Sequence, residues 1–277
     1  MKDKNQCQFV IINRKTKEVM GGLGLVKEEI NNSANNKLGA YRYMKKKGHI
    51  YERCIILFVK SPGQAPVKSR LATALGEETA RRLYRHFVLD MLTTLSDLRA
   101  RGRCDLAVGV YPAGSTEVVR AWLGDGYIYL PQQGNDLGER MKNAFQEVFA
   151  AGYKQALIIG SDAPDLTTEI LEEGFTRLEK EGAVIGPARD GGYYLIGFQD
   201  DAFLPQVFDG IPWSTGEVYA RTMEIFREKK RDVAILTPWQ DIDTLEDLRD
   251  LYERHQGDSF ANSRTMRYLR RKNILSP

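Results

Sequence analysis

The stretch Leu157-Ile158-Ile159-Gly160-Ser161-Asp162-Ala163-Pro164-Asp165 decides how this chain reads. Its apolar start has the length and composition of a buried parallel strand, and the run stops at Gly160-Ser161. Two carboxylates follow, three positions apart. In an open α/β sheet, ligands sit beyond the carboxyl ends of the strands. A strand tip ending in Asp is therefore placed to hold a hard cation against a diphosphate. Mg²⁺ needs only one or two carboxylates besides phosphate oxygens. Asp162 is read as a metal ligand and catalytic residue, and Asp165 as the cap of the helix that follows.

Strand and helix patterns alternate on either side of this stretch. Apolar strand runs occur at 55–59, 106–111, 127–130, 156–159, 183–185, 193–198 and 233–236. Helical spacing appears at 77–98, through Ala80, Leu83, Phe87, Met91, Leu95 and Leu98, and again at 116–123, 137–151 and 168–181. Ser214-Thr215-Gly216-Glu217 has the form of a capping box opening a helix to about Lys229, and Thr244 is placed to cap a helix running to His255. Such alternation predicts an α/β fold, with a mostly parallel, mixed central sheet covered by helices on both faces.

The chain changes character near residue 50. Residues 1–50 carry 11 Lys and Arg against 4 Asp and Glu, leaving 29 against 33 in the remainder. The basic excess is therefore local, and the main body has no basic stripe interleaved with aromatics, which argues against nucleic-acid binding. A short hairpin is expected over 9–13 and 18–26, followed by the Lys-rich joint Met44-Lys45-Lys46-Lys47-Gly48. Residues 1–50 read as an extension and 51–277 as the main domain. Cys7, Cys54 and Cys104 are widely spaced, and His49, His86 and His255 are scattered. That pattern suggests neither a zinc site nor a His-centred triad. With no apolar run of membrane-spanning length and no signal-peptide h-region, the expected compartment is the cytoplasm.

Several loops that follow strands have unusual chemistry. Residues 60–71, Lys-Ser-Pro-Gly-Gln-Ala-Pro-Val-Lys-Ser-Arg-Leu, offer Lys60, Lys68 and Arg70 as candidate phosphate ligands, although the P-loop spacing is absent. Asp136 either caps the helix from Leu137 or belongs to the phosphate site. In Gly186-Pro187-Ala188-Arg189-Asp190-Gly191-Gly192-Tyr193 the paired glycines let backbone approach a ligand, or simply make a hairpin turn. Tyr193 and Trp213 are candidate substrate contacts, Trp213 by stacking on a sugar or by filling the core. Asp241-Ile242-Asp243-Thr244 again places carboxylates between a strand and a helix.

Taken in order, K-x-P-x-x-x-x-V-K-S-R-L, Q-G-N-D-L-G-E-R-M, G-S-D-A-P-D-L, G-P-A-R-D-G-G-Y-Y-L-I-G, I-P-W-S-T and D-I-D-T-x-E-D-L resemble the A-type glycosyltransferase family associated with arsenosugar biosynthesis. More distantly the chain is similar to 2-phospho-lactate and molybdenum-cofactor guanylyltransferases. The resemblance implies a Rossmann-like nucleotide-diphospho-sugar transferase (GT-A) fold, with Asp162 as metal ligand, Asp243 as a second one, and Lys68 and Arg70 in the nucleotide-phosphate loop. Ala65 departs from the glycine usual there.

The resulting expectation is a Mg²⁺- or Mn²⁺-dependent transferase. It takes a sugar from a nucleoside-diphosphate sugar to a small-molecule acceptor, with Asp190 deprotonating the acceptor if the reaction inverts. The alternative is nucleotidyl transfer from an NTP with release of pyrophosphate. A silent nucleotide-binding module would not need so many strand-end carboxylates. Residues 1–43 lie outside every motif and are expected to be dispensable. A protein beginning at Met44 should remain soluble, with a melting temperature within about 3 °C of the full chain, since a lone hairpin adds little burial. Aggregation, or melting many degrees lower, would place the hairpin in the sheet.

Overall fold

A computed structural model of the chain describes residues 51–275, so the expected hairpin and joint within residues 1–50 lie outside the described residues. Over the described part, aliphatic and β-branched runs make strands β1 (Arg53–Lys60), β2 (Asp105–Tyr111), β3 (Ile128–Pro131), β4 (Gln155–Ile159), β5 (Ala183–Pro187), β6 (Tyr193–Gln199) and β7 (Ala234–Ile235). They form one sheet in the order β3-β2-β1-β4-β6-β5-β7. All neighbours are parallel except those of β6, which runs antiparallel to both β4 and β5. The sheet is thus mixed and mostly parallel, as the alternation predicts, and the Asp-Gly-Gly segment is the β5–β6 hairpin turn.

The connecting helices are α1 (Ser69–Leu75), α2 (Glu77–Ala100), α3 (Thr116–Leu123), α4 (Leu137–Ala150), α5 (Thr168–Glu181), α6 (Val218–Glu228), α7 (Leu245–Arg254) and α8 (Arg264–Lys272). Successive residues of β1 point to opposite faces. Ile55, Leu57 and Val59 meet Tyr84, Val88 and Met91 of α2 and Phe175 of α5, while Cys54, Ile56 and Phe58 meet the α4 and α6 side. Both faces are therefore covered. A third cluster, with Leu71, Leu83, Phe87, Leu248 and Leu269, packs α1, α7 and α8 behind α2. The apolar spacing read along α2 is the spacing that is buried.

Three local expectations need correction. The first-loop segment from Ser69 is helical, and Gly76 at φ 82° both ends α1 and opens α2, a conformation that favours glycine. The 214–217 capping box is not formed. Ser214 sits at φ 68°, α6 begins at Val218, and Thr215 Oγ1 instead donates to the Pro212 carbonyl. Asp165 does not cap α5, whose N-cap is Thr167. By contrast Thr244 closes a full capping box with Asp247. Among the described residues no helix is long and apolar enough to cross a membrane.

On the α4 side, Phe145 is fully buried and meets Phe149, Phe198, Phe203 and Phe208 at centroid distances of 5.9, 5.1, 5.5 and 6.1 Å. Rings this rigid collapse poorly around a void. Phe145→Ala should cost about 3–5 kcal/mol and lower the melting temperature by roughly 10 °C in a domain of this size. A thermal melt within about 2 °C of wild type would mean that the layer repacks.

Candidate active site

Chain order turns back at β1. From it β2 and β3 extend to one side and β4 begins the other, so the carboxyl ends of β1 and β4 flank the switch point of the sheet. Lys60-Ser61 leaves β1 there, and Gly160-Ser161-Asp162 leaves β4. The two tips are joined through Tyr84 of α2, whose hydroxyl accepts the Lys60 N–H at 2.8 Å and lies 3.0 Å from Ser161 Oγ. Burial, with the nearby Asp162 charge, pushes the Tyr84 hydroxyl pKa well up, so it stays protonated.

The remaining strand-end loops are tied to these two by backbone bonds. Ile242 N–H donates to the Asp162 carbonyl at 2.9 Å, Trp239 N–H to Pro187 at 3.0 Å and Arg189 N–H to Trp239 at 3.1 Å. Asp247 accepts from the N–H groups of Asp243 and Thr244 at 3.1 and 2.8 Å, which orients the Asp243 loop. Asp165 is used in the same way. It accepts Trp239 Nε1–H at 3.0 Å and pairs with His255 Nε2 at 3.0 Å, anchoring the 239 loop and the end of α7.

Between these loops lies a cleft of about 540 Å³, lined by Lys60, Lys68, Arg70, Asp162, Asp190, Asp241 and Asp243, and also by Gly192, Tyr193 and Trp213. That is the size range of small-ligand sites. A hollow of about 620 Å³ behind residues 63–67 has Glu77 and Arg81 as its charged groups and no converging carboxylates, so the smaller cleft is the better site.

At the centre is Lys68. Its Nζ lies 2.6 Å from Asp162 Oδ1 and 2.8 Å from Asp243 Oδ1, and its side chain is 2% exposed. Burial alone would lower its pKa, but the two carboxylates outweigh it and hold the ammonium above the ordinary lysine value. Its backbone is left-handed, at φ 50° and ψ 50°, a strain of about 1–3 kcal/mol for a non-glycine residue. Lys60 and Arg70 are exposed and have no carboxylate partner among the described residues, so they are the cations free to meet phosphate.

Two carboxylate oxygens converging on one cationic point are a donor set that suits a hard divalent ion. Among the described residues no group of three or more His, Cys, Asp or Glu side chains forms a complete metal cage. The fit is thus to an ion that takes its remaining ligands from substrate and water. Asp162 and Asp243 are the residues that would hold it.

Other expected residues fare differently. Asp190 is at the cleft, where Oδ1 accepts the Gly192 N–H at 2.9 Å and braces its own turn. Gly191, at φ 91°, closely approaches another loop, since an added Cβ would lie 2.1 Å from the Gly216 carbonyl oxygen. Tyr193 and Trp213 pack edge to face at 6.4 Å, and Trp213 seats against Gly138. Asp136 accepts the Glu139 N–H at 2.8 Å and caps α4, outside the cleft.

Asp241 is the residue sequence reasoning missed. Burial and the charges of Asp162, Asp190 and Asp243, partly opposed by Lys68, push its carboxyl up to about 8. The signal was present: in Asp241-Ile242-Asp243 an extended segment puts residues i and i+2 on one side. Ile242 is fully buried, and both acids line the cleft.

Comparisons with known proteins agree with this picture. The family model described as an uncharacterized protein conserved in bacteria (DUF2064) matches residues 94–215. The chain is 44% identical to a candidate nucleotide-diphospho-sugar transferase from Desulfovibrio desulfuricans G20, covering 81% of this chain and 96% of that one, with a TM-score of 0.76. A 4-diphosphocytidyl-2C-methyl-D-erythritol synthase from Anaerococcus prevotii DSM 20548 is 14% identical over 71% of this chain and 95% of its own, with a TM-score of 0.46. A CMP:2-keto-3-deoxy-manno-octonic acid synthetase complexed with CTP is 13% identical over 73% and 98%, at 0.45. Similarity at these last two levels carries no weight for activity. No curated protein sequence matches the chain.

The raised Asp241 carboxyl has a consequence for stability. Between its unfolded pKa near 4 and its folded value of about 8, the folded chain binds more protons than the unfolded one. Its favourable contribution is therefore complete at low pH and is lost as pH rises to about 8. Asp241→Asn keeps the neutral shape and removes that loss. With EDTA present, the variant should melt about 3–6 °C above wild type at pH 8, and the gap should shrink toward pH 5. Parallel melting curves across that range would refute the assignment.

Proposed function

Because this chain belongs to the nucleotide-diphospho-sugar transferase-like family represented by the Desulfovibrio protein, we propose that it is a metal-dependent glycosyltransferase. It moves a sugar from a nucleoside-diphosphate sugar to a small-molecule acceptor. The observation that carries this reading is the convergence of Asp162 and Asp243 on one cationic point at the sheet's switch point. Around it stand Lys60 and Arg70, which have no carboxylate partner among the described residues.

Arg70 and Lys60 bind the donor diphosphate, Arg70 by its planar fork and Lys60 as a point charge. Tyr193 and Trp213 offer the apolar wall on which a sugar ring packs. The acceptor hydroxyl oxygen bonds to the anomeric carbon as the bond from that carbon to the diphosphate breaks, and the nucleoside diphosphate departs. Asp190 takes the hydroxyl proton, since its Oδ1 serves the turn and Oδ2 has no protein partner among the described residues. Asp162 and Asp243 are the residues that would hold Mg²⁺ or Mn²⁺, which would supply Lewis-acid neutralisation of the departing diphosphate. Positive side chains fixed before the reaction stabilise the charge that develops there.

Asp162→Asn should keep the fold and weaken Mn²⁺-dependent nucleoside-diphosphate binding by about tenfold or more, the loss of one charge-assisted ligand. A thermal-shift panel of nucleotides with and without Mn²⁺ reads this directly. Unchanged affinity and metal dependence would refute the metal assignment. Donor class is separable in the same preparation. Nucleoside diphosphate should appear from a sugar donor in the presence of acceptor extract, whereas pyrophosphate release from an NTP alone would make the enzyme a nucleotidyltransferase.

A further inference from the structure

We infer that Lys68 is the resident counter-ion of the Asp162–Asp243 pair, and that a divalent cation enters only by displacing it. The nucleotide-free protein then holds such a cation weakly, and cation and diphosphate bind together. This inference rests on the proposal that the pair is the metal site, and deepens it.

Geometry carries the argument. The two carboxylates that would ligate the metal, Asp162 and Asp243, are both engaged through Oδ1 by one ammonium at 2.6 and 2.8 Å. An ion bonded to both at the ordinary distance of about 2.1 Å would lie on or beside that nitrogen. Two positive centres so close, in a pocket where Lys68 is 2% exposed, repel strongly because water screens them poorly. Lys68 is also well held where it is. Its ammonium lies over the Phe87 ring, 5.7 Å from the centroid, and its carbonyl accepts the Ala72 N–H at 2.8 Å in the first turn of α1.

Displacement becomes favourable when the ammonium gains a new anion. Lys68 lines the same cleft as Lys60 and Arg70, and its unbranched stem can swing to a phosphate without moving α1. A diphosphate supplies that anion, and a free metal ion does not. The left-handed backbone at Lys68 is consistent with a residue whose side-chain direction is imposed by its partners.

The test is Mn²⁺ binding to the nucleotide-free protein, followed by loss of the free-ion EPR signal, with no donor present. Lys68→Met removes the charge but keeps the stem, and should bind Mn²⁺ about tenfold or more tighter than wild type. Lys68→Arg keeps a cation in place and should remain as weak as wild type. The double variant Lys68→Met/Asp162→Asn should lose the gained site. Melting curves of each variant establish that it is folded.

Equal and tight Mn²⁺ binding by wild type and Lys68→Met would overturn the inference while leaving the metal site standing. Tightened binding by Lys68→Arg as well would also overturn it, because charge would not be the cause. If neither wild type nor folded Lys68→Met binds Mn²⁺, the carboxylate pair is not a cation site, and the inference and the reading beneath it both fall.

Discussion

A single buried ammonium, that of Lys68, is shared by carboxylates from two other loops, and the rest of the site is arranged around it. Placing a charge at 2% exposure costs several kcal/mol unless its partners are held in place. Here they are. Lys68 is fixed by the start of α1 and by Phe87, Asp162 by the end of β4, and Asp243 by Asp247 and the capping box of α7. Lys68 is the buried member, while Asp162 and Asp243 are about two-fifths exposed, so the two carboxylate loops are coupled through one buried nitrogen.

That coupling is possible because the sheet changes direction at β1. The switch point brings the ends of β1 and β4 side by side, and the antiparallel β6 returns Tyr193 and the 188–192 turn to the same edge. The loops are then joined by main-chain bonds, Ile242 to Asp162 and Trp239 to Pro187, and by the Asp165 carboxylate beneath Trp239 and His255. Rigid support of this kind is what keeps four acids, Asp162, Asp190, Asp241 and Asp243, facing one cleft. One outcome is the raised Asp241 carboxyl, pushed up first by burial and then by the negative charge of its neighbours.

Much of the fold was legible in the chain. Strands buried on both faces read as continuous apolar runs, and the α2 spacing through Leu83, Phe87 and Met91 is the buried face observed. The Thr244 cap was legible because its signal is wholly local. The Ser214 box failed for the opposite reason. Its sequence pattern is correct, but Gly191 presses against Gly216 and Ser214 takes a left-handed conformation, so the first turn cannot form there. Asp165 likewise looked like a cap until Trp239 and His255, 74 and 90 positions away, were seen to take its oxygens.

By itself the sequence determined the α/β alternation, the strand tips that carry chemistry, and the stock of acids and cations at them. These follow from periodicity and turn chemistry within a few residues. Only the tertiary structure decided how that stock is divided. It set Lys68 against Asp162 and Asp243, left Lys60 and Arg70 with no carboxylate partner among the described residues, used Asp136 and Asp165 as structural acceptors, and brought Asp241 into the cleft. The physical reason is range. Ion pairing and charge repulsion act between groups brought within a few ångströms by the sheet, such as Lys68 and Asp243, 175 positions apart, and no local pattern encodes that distance.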